Sequence, residues 1–526
     1  MRKQTIVFSS LTLVILSACA LSYGLRGRKV PIDEYNSVAR LPSIRPDYCE
    51  TVIPPNIAPL NFVVQEKGLR FCVKIHSKQG KPIEVFSRNG KIVIPEGRWQ
   101  KLLNTNRRQQ LCFDVSVKTG DDERWNRFQT ITNEIARENI DGFLVYRRIH
   151  PAHSTWRKMG LYQRNLQNYN ESLILDNGYY GRGCLNCHTF CENRTDKMLI
   201  GIRSSIYGSS ALLIEDGVVN KIDAKFGYSS WHPSGRLAAY SINKIRLFFH
   251  SAGDEVRGVT DLDSLLAYYL VDSGTVKTAP QISKKERLET YPAWSADGRW
   301  LYFCSAPILW SDRDTVPPER YDQVKYDLVR VSYDLDRDEW GEPETVLSAE
   351  DTGLTILLPR VSPDGRRLLF CMCDYGSFPV YHDSSDLYLI DLKNLEETGR
   401  VKPQRLQINS DKSESWHSWS SNSRWIAFSS KRQSGVFTRS YLSYVDEGGR
   451  VYKPLLLPQK DPTHYDSCLW TYSVPELVTG PVRVTKEKLG RVVRGSRKIS
   501  VRLPITSATP KPGVVPGSRQ IWQERE

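Results

Sequence analysis

Long apolar runs are scarce in these 526 residues: the one at 6–16 is too short for an ordinary membrane-spanning helix. With 40% hydrophobic and 25% charged residues, the chain lies outside polytopic membrane, collagen-like and coiled-coil compositions. Neither Ser204-Ser205-Ile206-Tyr207-Gly208 nor Gly376-Ser377 forms the G-x-S-x-G elbow of a hydrolase, and there is no phosphate-binding glycine loop. Asp261, Asp263 and the run Ser311-Asp312-Arg313-Asp314 lack an EF-hand pattern and read as a solvated acidic face. What remains is an ordinary globular composition, long enough for two to four domains at about 100 to 200 residues each.

Acidic residues are few at one end. Residues 481–526 hold eleven Lys/Arg and three Glu, which is +8 of the chain's net +14. With five prolines and little periodicity, this stretch reads as a basic flexible tail. It is either a solubilising extension or an attachment to anionic lipid or glycan.

At the other end, Arg2 and Lys3 precede the apolar run, and Leu16-Ser17-Ala18-Cys19 follows it. A charged start, a short apolar core and small residues make a signal peptide over 1–18. Leu16-Ser17-Ala18-Cys19 resembles the bacterial lipobox, which implies diacylation of Cys19 and membrane anchoring, each buried CH₂ contributing about 0.8 kcal/mol. Plain secretion is the alternative. Ala20 follows in place of the Asp that often retains lipoproteins at the inner membrane, so the outer membrane is favoured. Export argues against a nucleic-acid partner and puts the cysteines in an oxidising compartment. Cys72 and Cys112 lie in strand-like stretches and would be close enough to bridge. Cys371 and Cys373 would share one strand face, and buried free thiols are the alternative for both pairs.

Between the ends, residues 19–44 read as a tether and 45–150 as a small β-sandwich: short β-forming runs separated by turn signals, with one amphipathic helix over 127–138. Residues 151–195 read as a connecting segment. Beyond it, four eleven-residue stretches align without gaps, starting at Trp231, Trp294, Val361 and Trp419. Each has a tight turn, Ser234-Gly235, Asp297-Gly298, Asp364-Gly365 or Asn422-Ser423, then an arginine and an apolar strand. The turn residues supply the positive φ that a two-residue hairpin needs. Such recurrence implies a radial array of β-sheets over 196–480, with Met198 near its start.

One motif carries chemistry. Cys184-Leu185-Asn186-Cys187-His188 is a Cys-x-x-Cys-His sequence, the attachment signal of c-type haem. The two thiols would form thioethers with one porphyrin, and His188 would be the proximal iron ligand. The rival readings are a zinc or iron–sulfur site using Cys184, Cys187 and Cys191, or a Cys184–Cys187 disulfide. The motif occurs once, so the expectation is a mono-haem protein. Met198 is the first candidate for a sixth ligand and Met159 the second, each also readable as a core methionine. His150, His153, His232 and His417 are weaker candidates, and an open sixth position is the further alternative.

The repeated Trp-Ser-x-Asp-Gly-Arg pattern resembles the WD40-like repeat of TolB-type β-propellers. Together with the lipobox and haem motif, it resembles a group of bacterial envelope proteins that combine a cytochrome motif with such a propeller. The resemblance implies an all-β fold: an N-terminal sandwich, then a five- or six-bladed propeller, with the haem motif in the connecting segment. It implies an electron carrier anchored in the envelope, whose propeller docks redox or other envelope proteins. The alternatives are a scaffold gripping a protein or glycan with the haem structural or sensory, and a haem-dependent oxidoreductase with an open sixth site.

Overall fold

The computed structural model is nearly all β, with the propeller strands mostly buried on both faces, and describes residues 34–120, 124–150, 158–250 and 257–500. The signal peptide, Cys19, most of the tether and the basic stretch after 500 lie outside the described residues, as does His153.

The N-terminal domain has a seven-stranded sheet and a three-stranded one, Ile44–Arg45, Phe62–Val64 and Lys91–Ile92. Its helix is Glu96–Thr105, where Trp99, Leu102 and Leu103 follow the i, i+3, i+4 pattern and are buried. The helix expected over 127–138 is instead two strands, because Ile131, Asn133 and Ile135 alternate inward with period two. Cys72 stands opposite Ser116 and Cys112 opposite His76, so the suggested bridge is not formed: four strand steps, about 13 Å, separate their positions. Cys371 and Cys373 do share one face, fully buried and reduced.

Six sheets then close a propeller. Blade 1 contains Phe143–Ile149, Met159–Asn165 and Glu171–Asp176, and blade 2 runs from Cys184–Cys191 through Val218–Ile222. Blades 3 to 6 begin with Ser229–Trp231, Arg287–Trp294, Thr355–Val361 and Glu414–Trp419. The final strand, Thr471–Val478, returns to pair antiparallel with Phe143–Ile149, so the two ends of the propeller sequence share one sheet. Closure leaves no open sheet edge at the join.

The four repeats are the turns between the first and second strands of blades 3 to 6. Gly235, Gly298, Gly365 and Ser423 all have positive φ, as the turn chemistry required. In blades 4 to 6 a serine hydroxyl, Ser295, Ser362 or Ser420, donates at 2.6 Å to Asp297, Asp364 or Asn422. Blades 1 and 2 lack the repeat. In blade 2 the corresponding turn is Glu192-Asn193, at φ 49° and 59°.

Two boundaries therefore move. Residues 151–195 are not a connecting segment: they hold two of the four strands of blade 1 and the first strand of blade 2, a third blade 1 strand, Phe143–Ile149, comes from the stretch read as sandwich, and Met198 lies in the second strand of blade 2, Arg194–Ser204. The basic stretch is also ordered at its start. Lys486–Arg494 is a helix capped by Thr485, with Leu489 and Val493 buried and the basic residues outward. Gly490 lies flat on Tyr179, where a Cβ would come within 2.9 Å of the ring.

Candidate functional site at the propeller axis

The innermost strands surround a narrow cavity to which all six blades contribute. Its shape comes from a repeated irregularity. In blades 2, 4, 5 and 6 two residues of the inner strand oppose one of the next: Asn186-Cys187, Tyr291-Pro292, Leu358-Pro359 and Trp416-His417. Val474-Pro475 does the same against Tyr146 in blade 1. Tyr291, Leu358, Trp416 and Val474 have φ between 46° and 57°, a left-handed conformation that costs non-glycine residues about 1–2 kcal/mol each. These bulges bend each inner strand and bring Tyr291, Leu358, Trp416 and Val474 to the cavity wall.

The Cys-x-x-Cys-His sequence is the blade 2 version of this bulge. Three steps along a regular strand place two side chains on opposite faces. Here Cys184 stands opposite Arg203, and Asn186 with Cys187 together stand opposite Gly201; Cys187 lines the cavity, whereas Cys184 is buried in the core between blades 1 and 2 and does not line it. Both thiols lie in the field of Arg147 and Arg203, and both are free. Burial pushes their pKa values up, that of Cys187 to about 11, so they are thiols at neutral pH.

His188 lines the cavity beside Cys187 and is 4% exposed. Neither ring nitrogen makes a well-aligned hydrogen bond, and the one group that reaches the ring is the Val474 backbone. Burial, followed by the Arg147 and Arg360 guanidinium groups, lowers its pKa to about 3, against a weaker opposing effect of the Val474 backbone. A neutral imidazole is the form that ligates a metal. Tyr228, Tyr291 and Trp416 form the aromatic wall, with Tyr228 and Tyr291 centroids 4.2 Å apart and the Tyr291 hydroxyl donating to the Ser377 carbonyl. Arg147 and Arg360 supply positive charge at the same cavity.

The other sequence candidates do not converge here. Met159 is buried with its sulfur accepting from the Leu185 N–H at 3.2 Å, and Met198, opposite Phe190, is buried between blades 1 and 2. Neither lines the cavity. Cys191 belongs to the core between blades 2 and 3, away from Cys184, and no group of three or more His, Cys, Asp or Glu among the described residues is arranged to hold a metal ion. The donor set of a zinc or iron–sulfur site is thus not assembled. His150 packs edge-on against Trp470. His232 donates through Nε2 to the Gly298 carbonyl, and His417 through Nε2 to that of Leu369, so both pin neighbouring strands.

Arg147, Tyr228, Tyr291 and Arg360 were not singled out from sequence. A signal for Tyr228, Tyr291, Arg360 and Trp416 exists: the repeat extends three residues further back, as Tyr228-Ser229-Ser230, Tyr291-Pro292-Ala293, Leu358-Pro359-Arg360 and Trp416-His417-Ser418.

No protein-family model matches the chain, and no curated protein matches it in sequence. Among solved structures it is similar to puromycin hydrolase, at 14% identity over 60% of this chain and 47% of that one, with a TM-score of 0.35. It is also similar to prolyl oligopeptidase B from Galerina marginata, at 11% identity over 66% of this chain and 49% of that one, TM-score 0.31. Oligogalacturonate lyase from Vibrio parahaemolyticus matches at 12% identity over 56% of this chain and 85% of that one, TM-score 0.29. The chain spans just under half the length of the hydrolase and the oligopeptidase. The propeller assignment rests on the strand order described above.

Proposed function

We propose that this protein is a mono-haem c-type electron carrier anchored in the bacterial envelope, with the propeller as docking platform. The observation that carries the reading is His188: buried, neutral, without a well-aligned hydrogen bond, and facing the axial cavity beside Cys187. Cys184 and Cys187 would hold the porphyrin through thioethers, Cys187 from the cavity wall and Cys184 from the core beside it, and His188 would ligate the iron. Arg147 and Arg360 line the same cavity and would neutralise the carboxylates that haem carries. The bound group would supply one-electron chemistry, while the aromatic wall excludes water and the arginines keep His188 unprotonated. Cys19 would carry the acyl anchor, and redox or other envelope proteins would dock on the propeller.

A second reading is favoured by one observation: neither Met159 nor Met198 reaches the cavity. It is a haem-dependent oxidoreductase with an open sixth position.

Protein made in a haem-maturing host is expected to weigh one haem more than the chain and to carry an acylated Cys19. The double variant Cys184→Ala/Cys187→Ala is expected to lose the haem mass. His188→Ala is expected to keep it with an altered spectrum. A wild-type chain without added haem mass ends the proposal. Rapid carbon monoxide binding to the reduced protein selects the second reading.

A further inference from the structure

The helix Lys486–Arg494 lies across the outer edges of blades 1 and 2. Leu489, Gly490 and Val493 are buried against the blades, while Arg483, Lys488, Arg491, Arg494, Arg497 and Lys498 are exposed. Polar contacts fix the helix in this orientation. Lys221 Nζ donates to the Val493 and Gly495 carbonyls at 2.6 and 3.2 Å, Lys488 Nζ donates to the Gly217 carbonyl at 2.7 Å, and Arg494 donates to the Tyr179 carbonyl.

Residues 483–498 hold seven Lys/Arg and one Glu, a net +6, and among the described residues only Lys498 of these cations is paired with a carboxylate, that of Asp223. Glu487 and Asp216, also exposed, offset little of that charge. A large apolar side chain stands exposed at each end of the helix. Val218, 56% exposed, follows Gly217 at the Lys488 end. Ile206, the most exposed large apolar residue described at 66%, lies against Gly181 at the Arg494 end, close to Tyr179. A soluble polyanion would satisfy the cations but offers no apolar medium for these side chains; a bilayer of anionic phospholipid offers both.

We propose that this edge of the propeller rests on an anionic phospholipid bilayer, its Lys and Arg side chains at the headgroup phosphates and Ile206 and Val218 entering the acyl boundary. The apolar side of the helix is already covered by the blades, so the helix lies on the surface without inserting. The contact is independent of the haem and of an acyl group on Cys19.

The test is co-sedimentation with vesicles of mixed phosphatidylglycerol and phosphatidylcholine, or of phosphatidylcholine alone. It uses the chain from residue 19 with Cys19→Ser, which keeps every described residue and carries no acyl group. The expected result is binding to the anionic vesicles that weakens with salt, and little binding to the neutral ones. Arg483→Glu/Arg491→Glu/Arg497→Glu is expected to weaken it roughly 100-fold or more, at about fivefold for each charge near an anionic surface. Ile206→Ser/Val218→Ser is expected to weaken it severalfold. Should the triple variant fail to fold by circular dichroism, Arg491→Gln/Arg497→Gln decides, with a loss of roughly 10- to 30-fold. The proposal is overturned by equal binding to neutral vesicles, or by unchanged affinity in the folded arginine variants, which assigns the binding to residues after 500. Unchanged affinity in Ile206→Ser/Val218→Ser also overturns it, in favour of a soluble polyanion.

Discussion

Single residues around the axis are held in protonation states that bulk water would not give them. Burial and then Arg360 lower His417 to about 3, while burial raises Glu476 to about 7. The signs oppose. An unfolded histidine takes up a proton near pH 6.5 that buried His417 refuses, so its contribution to stability is lost as pH falls from about 6.5 toward 3. Folded Glu476 keeps a proton that the unfolded chain releases near 4.5, so its contribution is lost as pH rises from there toward 7. His417→Gln is therefore expected to flatten the acid limb of the stability curve by up to about 1.4 kcal/mol per pH unit. Urea unfolding at a series of pH values between about 4 and 6 measures it, and an unchanged slope refutes the assignment. Cys184, Cys187 and His188 were legible because three rare residue types at fixed spacing form a local pattern. Arg147 and Arg360 were not, since arginine is common and their meeting depends on ring closure.

At the scale of elements, the bulge and the closing strand matter most. Turns announced themselves through Asp-Gly and Ser-Gly, whose backbone demands are local, and four blades were readable from them. Blade 1 escaped because its inner strand, Thr471–Val478, lies about 300 residues after its neighbours, and no local pattern reports such a pairing. Blade 2 escaped because its turn is Glu192-Asn193 instead of Asp-Gly. The Cys-x-x-Cys-His sequence consequently reads, from sequence alone, as part of a linker. A chain ending at Trp470 loses the closing strand and leaves Phe143–Ile149 unpaired on that side. It is expected to lose cooperative thermal unfolding or to self-associate through the open edge, as seen by melting and size-exclusion chromatography. A truncated monomer melting at the full-length midpoint would show that closure contributes little.

Across the whole molecule, the N-terminal domain is clamped to blade 6. The buried Asp141 carboxylate accepts from the Ser421 N–H and hydroxyl at 2.8 and 2.6 Å, Glu138 accepts from the Tyr444 hydroxyl, and Lys91 pairs with Asp461. Apolar residues of the two domains form one continuous core. Asp141→Ala leaves Ser421 without its acceptor and is expected to cost about 1–3 kcal/mol, read as a lower unfolding midpoint. Two separate transitions in the wild type would contradict a shared core. The sequence by itself determined the all-β class, the repeated turns of four blades and the identity of the cysteine–histidine motif, because strand alternation, turn dihedrals and ligand spacing are properties of neighbouring residues. Only the tertiary structure decided that the ring has six blades, that the motif lies inside a blade, and that His188 faces a common cavity with Arg147 and Arg360. Those facts depend on strands far apart in sequence meeting around one axis.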